Sequence, residues 1–165
     1  MNNNRNHFNL DKSRNRSSRQ AQFFLWAYRV WVNDSVIFKP FANIILFFYR
    51  TIGVAIETKS IGGGLRMPHL NGIYIHPGAV IGENCTILQQ VTIGANEHRI
   101  DHEKAAKIGD RVYIGAGAKI IGDIVIGDDV RIGANAVVTK NIPAGMTVVG
   151  YNKVLKLKAE RPGVI

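Results

Sequence analysis

Six residues separate successive branched apolar side chains through much of this chain, and that period excludes most folds. From Ile108 the hexads run IGDRVY, IGAGAK, IIGDIV, IGDDVR, IGANAV and VTKNIP, so Ile or Val stands at 108, 114, 120, 126, 132 and 138. The fifth place is apolar as well: Val112, Ala118, Ile124, Val130, Ala136 and Ile142. An earlier block, IHPGAV, IGENCT and ILQQVT, starts at Ile75 and runs on to Ile93 and Gly94. Fifteen residues from Ile93 to Ile108 break the phase, so an inserted loop is expected over 95–107. A period of six fits neither a helix nor a hairpin series. It marks an all-β architecture, a parallel β-helix in which three hexads make one triangular coil. The first-place residue points inward and stacks on its equivalents above and below. The fifth-place residue turns the corner inside, and glycine at the second place is expected to supply the unusual backbone angles of that corner. No coil buries its apolar face alone, so stacking supplies the stability. Roughly four to five coils fit between residues 55 and 148.

Glycine and charge occupy different regions. Fifteen of the 17 glycines lie between residues 61 and 150, whereas much of the formal charge of +9 lies at the ends. Residues 1–20 carry Arg5, Lys12, Arg14, Arg16 and Arg19 against Asp11, and read as a disordered basic tail. They lack the continuous apolar run and small-residue cleavage site of a signal peptide. Residues 151–165 carry Lys153, Lys156, Lys158 and Arg161, and read as a second basic tail. Residues 21–52 hold ten of the 14 aromatics, with two short helices expected near 20–33 and 40–51 and Pro40 in the first turn of the second. The apolar run Phe41–Tyr49 is nine residues long, against the ~20 a membrane-spanning helix needs. Two readings of this segment stay open. It caps its own domain or a neighbouring subunit, or it makes a peripheral membrane contact, with Arg29, Lys39 and Arg50 flanking the aromatics. The single cysteine, Cys85, excludes a disulfide framework and any zinc site built from several thiolates. It fits a cytoplasmic compartment, at the inner face of the membrane under the second reading. Cys85 falls at a fifth place, which makes it a small core residue rather than a nucleophile.

The hexads, the stretch IGGGLRMPHLNGIYIHPGAVIG at 61–82 and ILQQVTIG at 87–94 resemble the serine acetyltransferase branch of the hexapeptide acyltransferases. They are more similar still to its short members from capsule and exopolysaccharide gene clusters. The resemblance covers about residues 50–155. It implies a left-handed coil, a homotrimer with the acyl-CoA slot between neighbouring prisms, and acetyl-CoA as co-substrate with no metal.

The resemblance also assigns residues. His69 matches the family's catalytic histidine. An imidazole takes up a proton near neutral pH, as attack of an alcohol on a thioester requires, and can return it to the leaving thiolate. His102, in the inserted loop with His98, is matched to a second active-site histidine. Asn71 and Asp101 are expected to contact the acceptor. The family's aspartate before the catalytic histidine binds the ammonium of serine, and here that position is Pro68. A saccharide hydroxyl is therefore the expected acceptor, with serine as the alternative. Acetyl-CoA contacts are expected at Gly115, Ala116, Gly117, Ala118 and Ala134, where small residues admit the pantetheine arm, and at Lys140 and Lys153 for its phosphates.

Other readings are weighed on residues. His69, His98 and His102 supply the number of ligands for a zinc enzyme like the trimeric carbonic anhydrases, without a recognisable motif. A non-catalytic trimeric scaffold is the reading of another class. Nucleic acid is not an expected partner, since the charge comes with no motif that reads DNA or RNA.

Overall fold

The computed structural model describes residues 19–33, 37–96 and 104–156. Two helices, α1 (Arg19–Val32) and α2 (Lys39–Thr51), lie within a residue or two of the expected bounds, and Pro40 sits in the first turn of α2. Fourteen short strands follow and form the three faces of a prism. The first sheet stacks β1 (Ala55–Ile56), β3 (Tyr74–Ile75), β6 (Thr92–Gly94), β9 (Lys119–Ile121) and β12 (Val137–Val138). The second stacks β2 (Ser60–Ile61), β4 (Val80–Ile81), β7 (Lys107–Ile108) and β10 (Val125–Ile126). The third stacks β5 (Thr86–Ile87), β8 (Tyr113–Ile114), β11 (Arg131–Ile132) and β13 (Met146–Val149), all parallel, and ends in β14 (Lys153–Lys156), antiparallel to β13. That last strand lies at the start of the segment read as a basic tail.

Register follows the repeat. Ile56, Ile75, Ile93, Ile120 and Val138 stack on one face, Ile61, Ile81, Ile108 and Ile126 on the second, and Ile87, Ile114, Ile132 and Val148 on the third. Every one of these except the half-buried Ile61 is buried. The fifth-place residues Ala79, Cys85, Val91, Val112, Ala118, Ile124, Val130 and Ala136 fill the interior corners, whereas Ile142, fifth in its hexad by sequence, stacks on Ile126 of the second face. The coil is left-handed. The usual right-handed crossover rests on strand twist, and strands of two to four residues accumulate little of it.

One expectation about glycine is corrected. The left-handed backbone angles recur at the fourth place: Gly64, Asn84, Gln90, Arg111, Gly117, Asp129 and Asn135 all have φ between 55° and 73°. Second-place glycines such as Gly82 and Gly127 are not among them. Their requirement is space, because a Cβ on Gly82 would lie 2.6 Å from the carbonyl of Gly109 in the coil above.

Two departures from the period add residues, beside the shortened steps from Ile56 to Ile61 and from Val138 to Ile142. Between β6 and β7 the chain leaves the edge joining the first and second sheets and returns at Lys104, with 97–103 outside the described residues. The other departure is at the bottom coil. Five residues, 68–72, run from buried Met67 to buried Ile73, where the coil above spends three, 88–90, between Ile87 and Val91.

The helices close the lower end. Phe24, Leu25 and Tyr28 of α1 are buried with the prism core. The Tyr28 hydroxyl donates to the Thr58 carbonyl, and the buried Thr58 hydroxyl donates to the Ala79 carbonyl. Burial pushes the Tyr28 phenol well above its ordinary range. The cap reading thus describes α1. α2 packs on α1 but leaves Phe41, Ile44, Phe47 and Phe48 more than half exposed, at 63%, 56%, 63% and 63%. Among the described residues no helix is long and apolar enough to cross a membrane.

Candidate active site

His69 projects from the lengthened corner of the bottom coil, on the edge joining the third sheet to the first. The two extra residues push the main chain outward, so His69 and Asn71 are exposed while Met67 and Ile73 keep the core contacts of a normal corner. Together with Leu70, with Gln89 and Gln90 of the next coil, and with Gln20 of α1, they line a cleft of about 490 Å³. None of these six residues is acidic.

The edge above the cleft is continuous. Gln90 N–H donates to the Asn71 carbonyl (2.7 Å), Gly117 N–H to the Gln89 carbonyl (2.9 Å) and Asn135 N–H to the Ala116 carbonyl (2.8 Å). Successive corners of four coils are therefore tied in one column: 68–72, 88–90, 115–117 and 133–135. At ~4.8 Å per coil, Ala134 stands roughly 14 Å above His69 along that column. Ala116 and Ala134 reach the surface, whereas Gly115, Gly117 and Ala118 are buried. At Gly115 a Cβ would lie 2.6 Å from Ala134 N, so its missing side chain is required by the next coil. Lys140 and Lys153 are exposed near the top. Each follows a member of the reciprocally bonded pair Thr139 and Asn152, in which Thr139 N–H donates to Asn152 Oδ1 and Asn152 Nδ2 donates to Thr139 Oγ1, both at 2.8 Å.

His102, His98 and Asp101 lie outside the described residues. Cys85 is fully buried, its thiol pointing to the Gly109 carbonyl at 3.2 Å, and burial pushes its pKa up to about 11. His76 accepts the Gly78 N–H at Nδ1 (3.0 Å) and so belongs to its own turn. Among the described residues no group of three or more His, Cys, Asp or Glu could hold a metal ion.

Sequence reasoning did not single out Gln89, Gln90 and Lys119. Lys119 Nζ donates to the Gln90 carbonyl (2.7 Å) and to Thr92 Oγ1 (3.1 Å), which fixes the wall beside the cleft. Gln89 Oε1 is buried without a hydrogen-bond partner among the described residues. The signal for both glutamines was their position, one coil beyond His69 and Asn71 on the same edge.

Residues 105–140 match the family described as bacterial transferase hexapeptide (six repeats). A serine acetyltransferase of Helicobacter pylori (strain J99) is 46% identical over 90 residues, which cover 54% of this chain and 52% of that protein. The structure of a Neisseria gonorrhoeae serine acetyltransferase in complex with serine superposes with a TM-score of 0.64 at 33% identity, over 83% of this chain and 55% of that one. A serine acetyltransferase in complex with CoA gives 0.65 at 28% identity, over 85% and 57%. The chain thus spans about half the length of these relatives. They overturn the saccharide acceptor expected from Pro68, since the relatives bear the name of the serine enzyme and one of the structures holds serine. Proline in place of a carboxylate beside His69 does not by itself decide which acceptor is used. The repeat is that of the hexapeptide transferases, and over about half of their length the chain is similar to serine acetyltransferases.

Proposed function

We propose that the protein transfers the acetyl group of acetyl-CoA to the hydroxyl of serine, with His69 as general base. The observation that carries the reading is the exposed His69 at a lengthened corner, at the foot of an edge whose upper corners are built of Gly and Ala. The serine hydroxyl attacks the thioester carbonyl as His69 removes its proton. The tetrahedral intermediate collapses, the C–S bond breaks, and the departing thiolate takes the proton from the His69 imidazolium. The products are O-acetylserine and CoA. The thioester is already activated, so no acyl-enzyme is required.

Asn71 contacts the acceptor from the same corner. The pantetheine arm runs along the column past Ala116 and Ala134, with Gly115, Gly117 and Ala118 keeping that surface flat, and the phosphates meet Lys140 and Lys153. The loop holding His102 and Asp101 is rooted on the edge between the first and second sheets, a different edge from that of His69. We assign the two edges to neighbouring copies in a homotrimer, so that a loop from one prism completes the cleft of the next.

The test is release of CoA thiol on addition of serine. His69→Ala should slow turnover by at least ~100-fold, the scale of a positioned general base. Turnover near that of the unaltered protein rejects the assignment.

A further inference from the structure

We infer that the side-chain carbonyl of Gln89 receives the ammonium group of the acceptor amino acid. The inference rests on the serine reading above and deepens it. Serine brings three groups to the cleft: a hydroxyl for the base, a carboxylate, and an ammonium that needs acceptors. The six lining residues offer no carboxylate, and Pro68 beside His69 has neither charge nor N–H. From these six residues a cationic donor can be met only by neutral oxygen atoms.

Among the described residues two buried side-chain atoms lack a partner, the donor Arg66 Nε and the acceptor Gln89 Oε1. The Gln89 main-chain carbonyl accepts the Gly117 N–H at 2.9 Å, which ties the corner to the next coil. Its side-chain oxygen is nevertheless buried and unpaired. A buried acceptor without a donor costs free energy and is uncommon in folded proteins, which makes each instance informative. Gln90, its neighbour, is exposed. Gln89 stands in the coil above His69 and lines the same cleft. A substrate ammonium there satisfies the oxygen, and hydrogen bonds to charged groups are about twice as strong as neutral ones. An amide oxygen adds no counter-charge, so a glutamate at 89 should hold the ammonium more tightly.

The experiment compares serine with 3-hydroxypropanoate, which keeps the hydroxyl and carboxylate and lacks the amino group. KM for serine and for acetyl-CoA, kcat, and the inhibition constant of 3-hydroxypropanoate against serine are measured for the unaltered protein, Gln89→Met and Gln89→Glu. Gln89→Met should raise KM for serine by about 10- to 100-fold, the scale of one hydrogen bond to a charged group. Its kcat, KM for acetyl-CoA and inhibition constant should stay within about twofold, the pattern of a lost binding contact. Gln89→Glu should bring KM for serine below that of the unaltered protein. An unchanged KM for serine in Gln89→Met overturns the inference. So does an inhibition constant that rises in step with KM, which would assign the amide to the carboxylate or hydroxyl end, and so does a raised KM in Gln89→Glu. If the unaltered protein shows no serine-dependent thiol release, the serine reading falls and this inference with it. If it does and Gln89→Met matches it, only this inference falls.

Discussion

Two alanine substitutions at the same place of the repeat should shift stability in opposite directions. Gly82 and Gly94 both stand second in their hexads, and neither has a positive φ. A Cβ on Gly82 would sit 2.6 Å from both C and O of Gly109, whose coil is fixed by the hydrogen bond from Gly82 N–H to the Ile108 carbonyl at 2.8 Å. Those are main-chain atoms with nowhere to go, so relief requires the coils to part. Overpacking of this kind costs ~1–3 kcal/mol or more. Alanine returns only ~0.4–1 kcal/mol by restricting the unfolded chain. A Cβ on Gly94 would meet side-chain ends alone, Ile121 Cδ1 at 3.3 Å, which can turn away, and Thr92 Cγ2 at an ordinary 4.0 Å. There the unfolded-state gain dominates. At ~2–4 °C per kcal/mol for a chain of this size, Gly82→Ala should lower Tm by roughly 3–8 °C and Gly94→Ala should leave it unchanged or raise it by about 1–3 °C. The assay is thermal unfolding by circular dichroism at matched protein concentration. A Gly82→Ala protein as stable as the unaltered one, or equal losses from both, would refute the claim that coil spacing dictates these glycines.

Three further outcomes follow from the structure. Burial raises the Cys85 thiol from 9.0 to about 11, so its thiolate fraction at pH 8 falls by about 100-fold relative to an unperturbed thiol and grows only as pH approaches that raised value; titration with a disulfide reagent should find it unreactive in the native state and reactive in denaturant. Charge reversal at Lys140 or Lys153 should raise KM for acetyl-CoA by about tenfold while kcat and KM for serine hold, as loss of a phosphate contact requires; a KM that does not move removes that residue from the donor site. Neither helix contains an acid, and α2 exposes Phe41, Ile44, Phe47 and Phe48 between Lys39 and Arg50, so the chain should sediment with vesicles containing anionic lipid and not with neutral ones. The double variant Phe47→Ser, Phe48→Ser should stay in the supernatant. Equal sedimentation of that variant would refute contact through this face.

The prism was legible because its physics is one-dimensional. Within an unbroken run of hexads a first-place Ile or Val meets its own kind 18 residues away, as Ile75 meets Ile93 and Ile120 meets Val138, so register there follows from the repeat alone. The break from Ile93 to Ile108 was equally visible as a lost phase. What the repeat hid was the division of labour inside the hexad. Glycine at the second place and Asn, Asp or Gln at the fourth look alike as turn residues. Only the stacked coils show that the first answers to the spacing between coils and the second to the left-handed angle.

The site was legible along the chain and illegible across it. His69, Asn71 and Pro68 stand together in one motif, so chemistry and departure could both be read from a dozen residues. Gln89 and Gln20 reach the same cleft through the coil above and through α1, at sequence distances that the motif does not encode. In a regular solenoid the partner of a corner residue is found by adding one coil. Here that arithmetic fails by the two residues inserted at 68–72, the same two that expose His69. The lengthened corner pushes His69 out of a wall that would otherwise be flat, and the cleft it forms is lined by Gln89 of the coil above. A departure from the period in such a fold is accordingly the first place to look for chemistry, ahead of any residue type. In the homotrimer proposed above, the same reasoning would bring the longer departure at 95–107 to the His69 edge of a neighbouring prism.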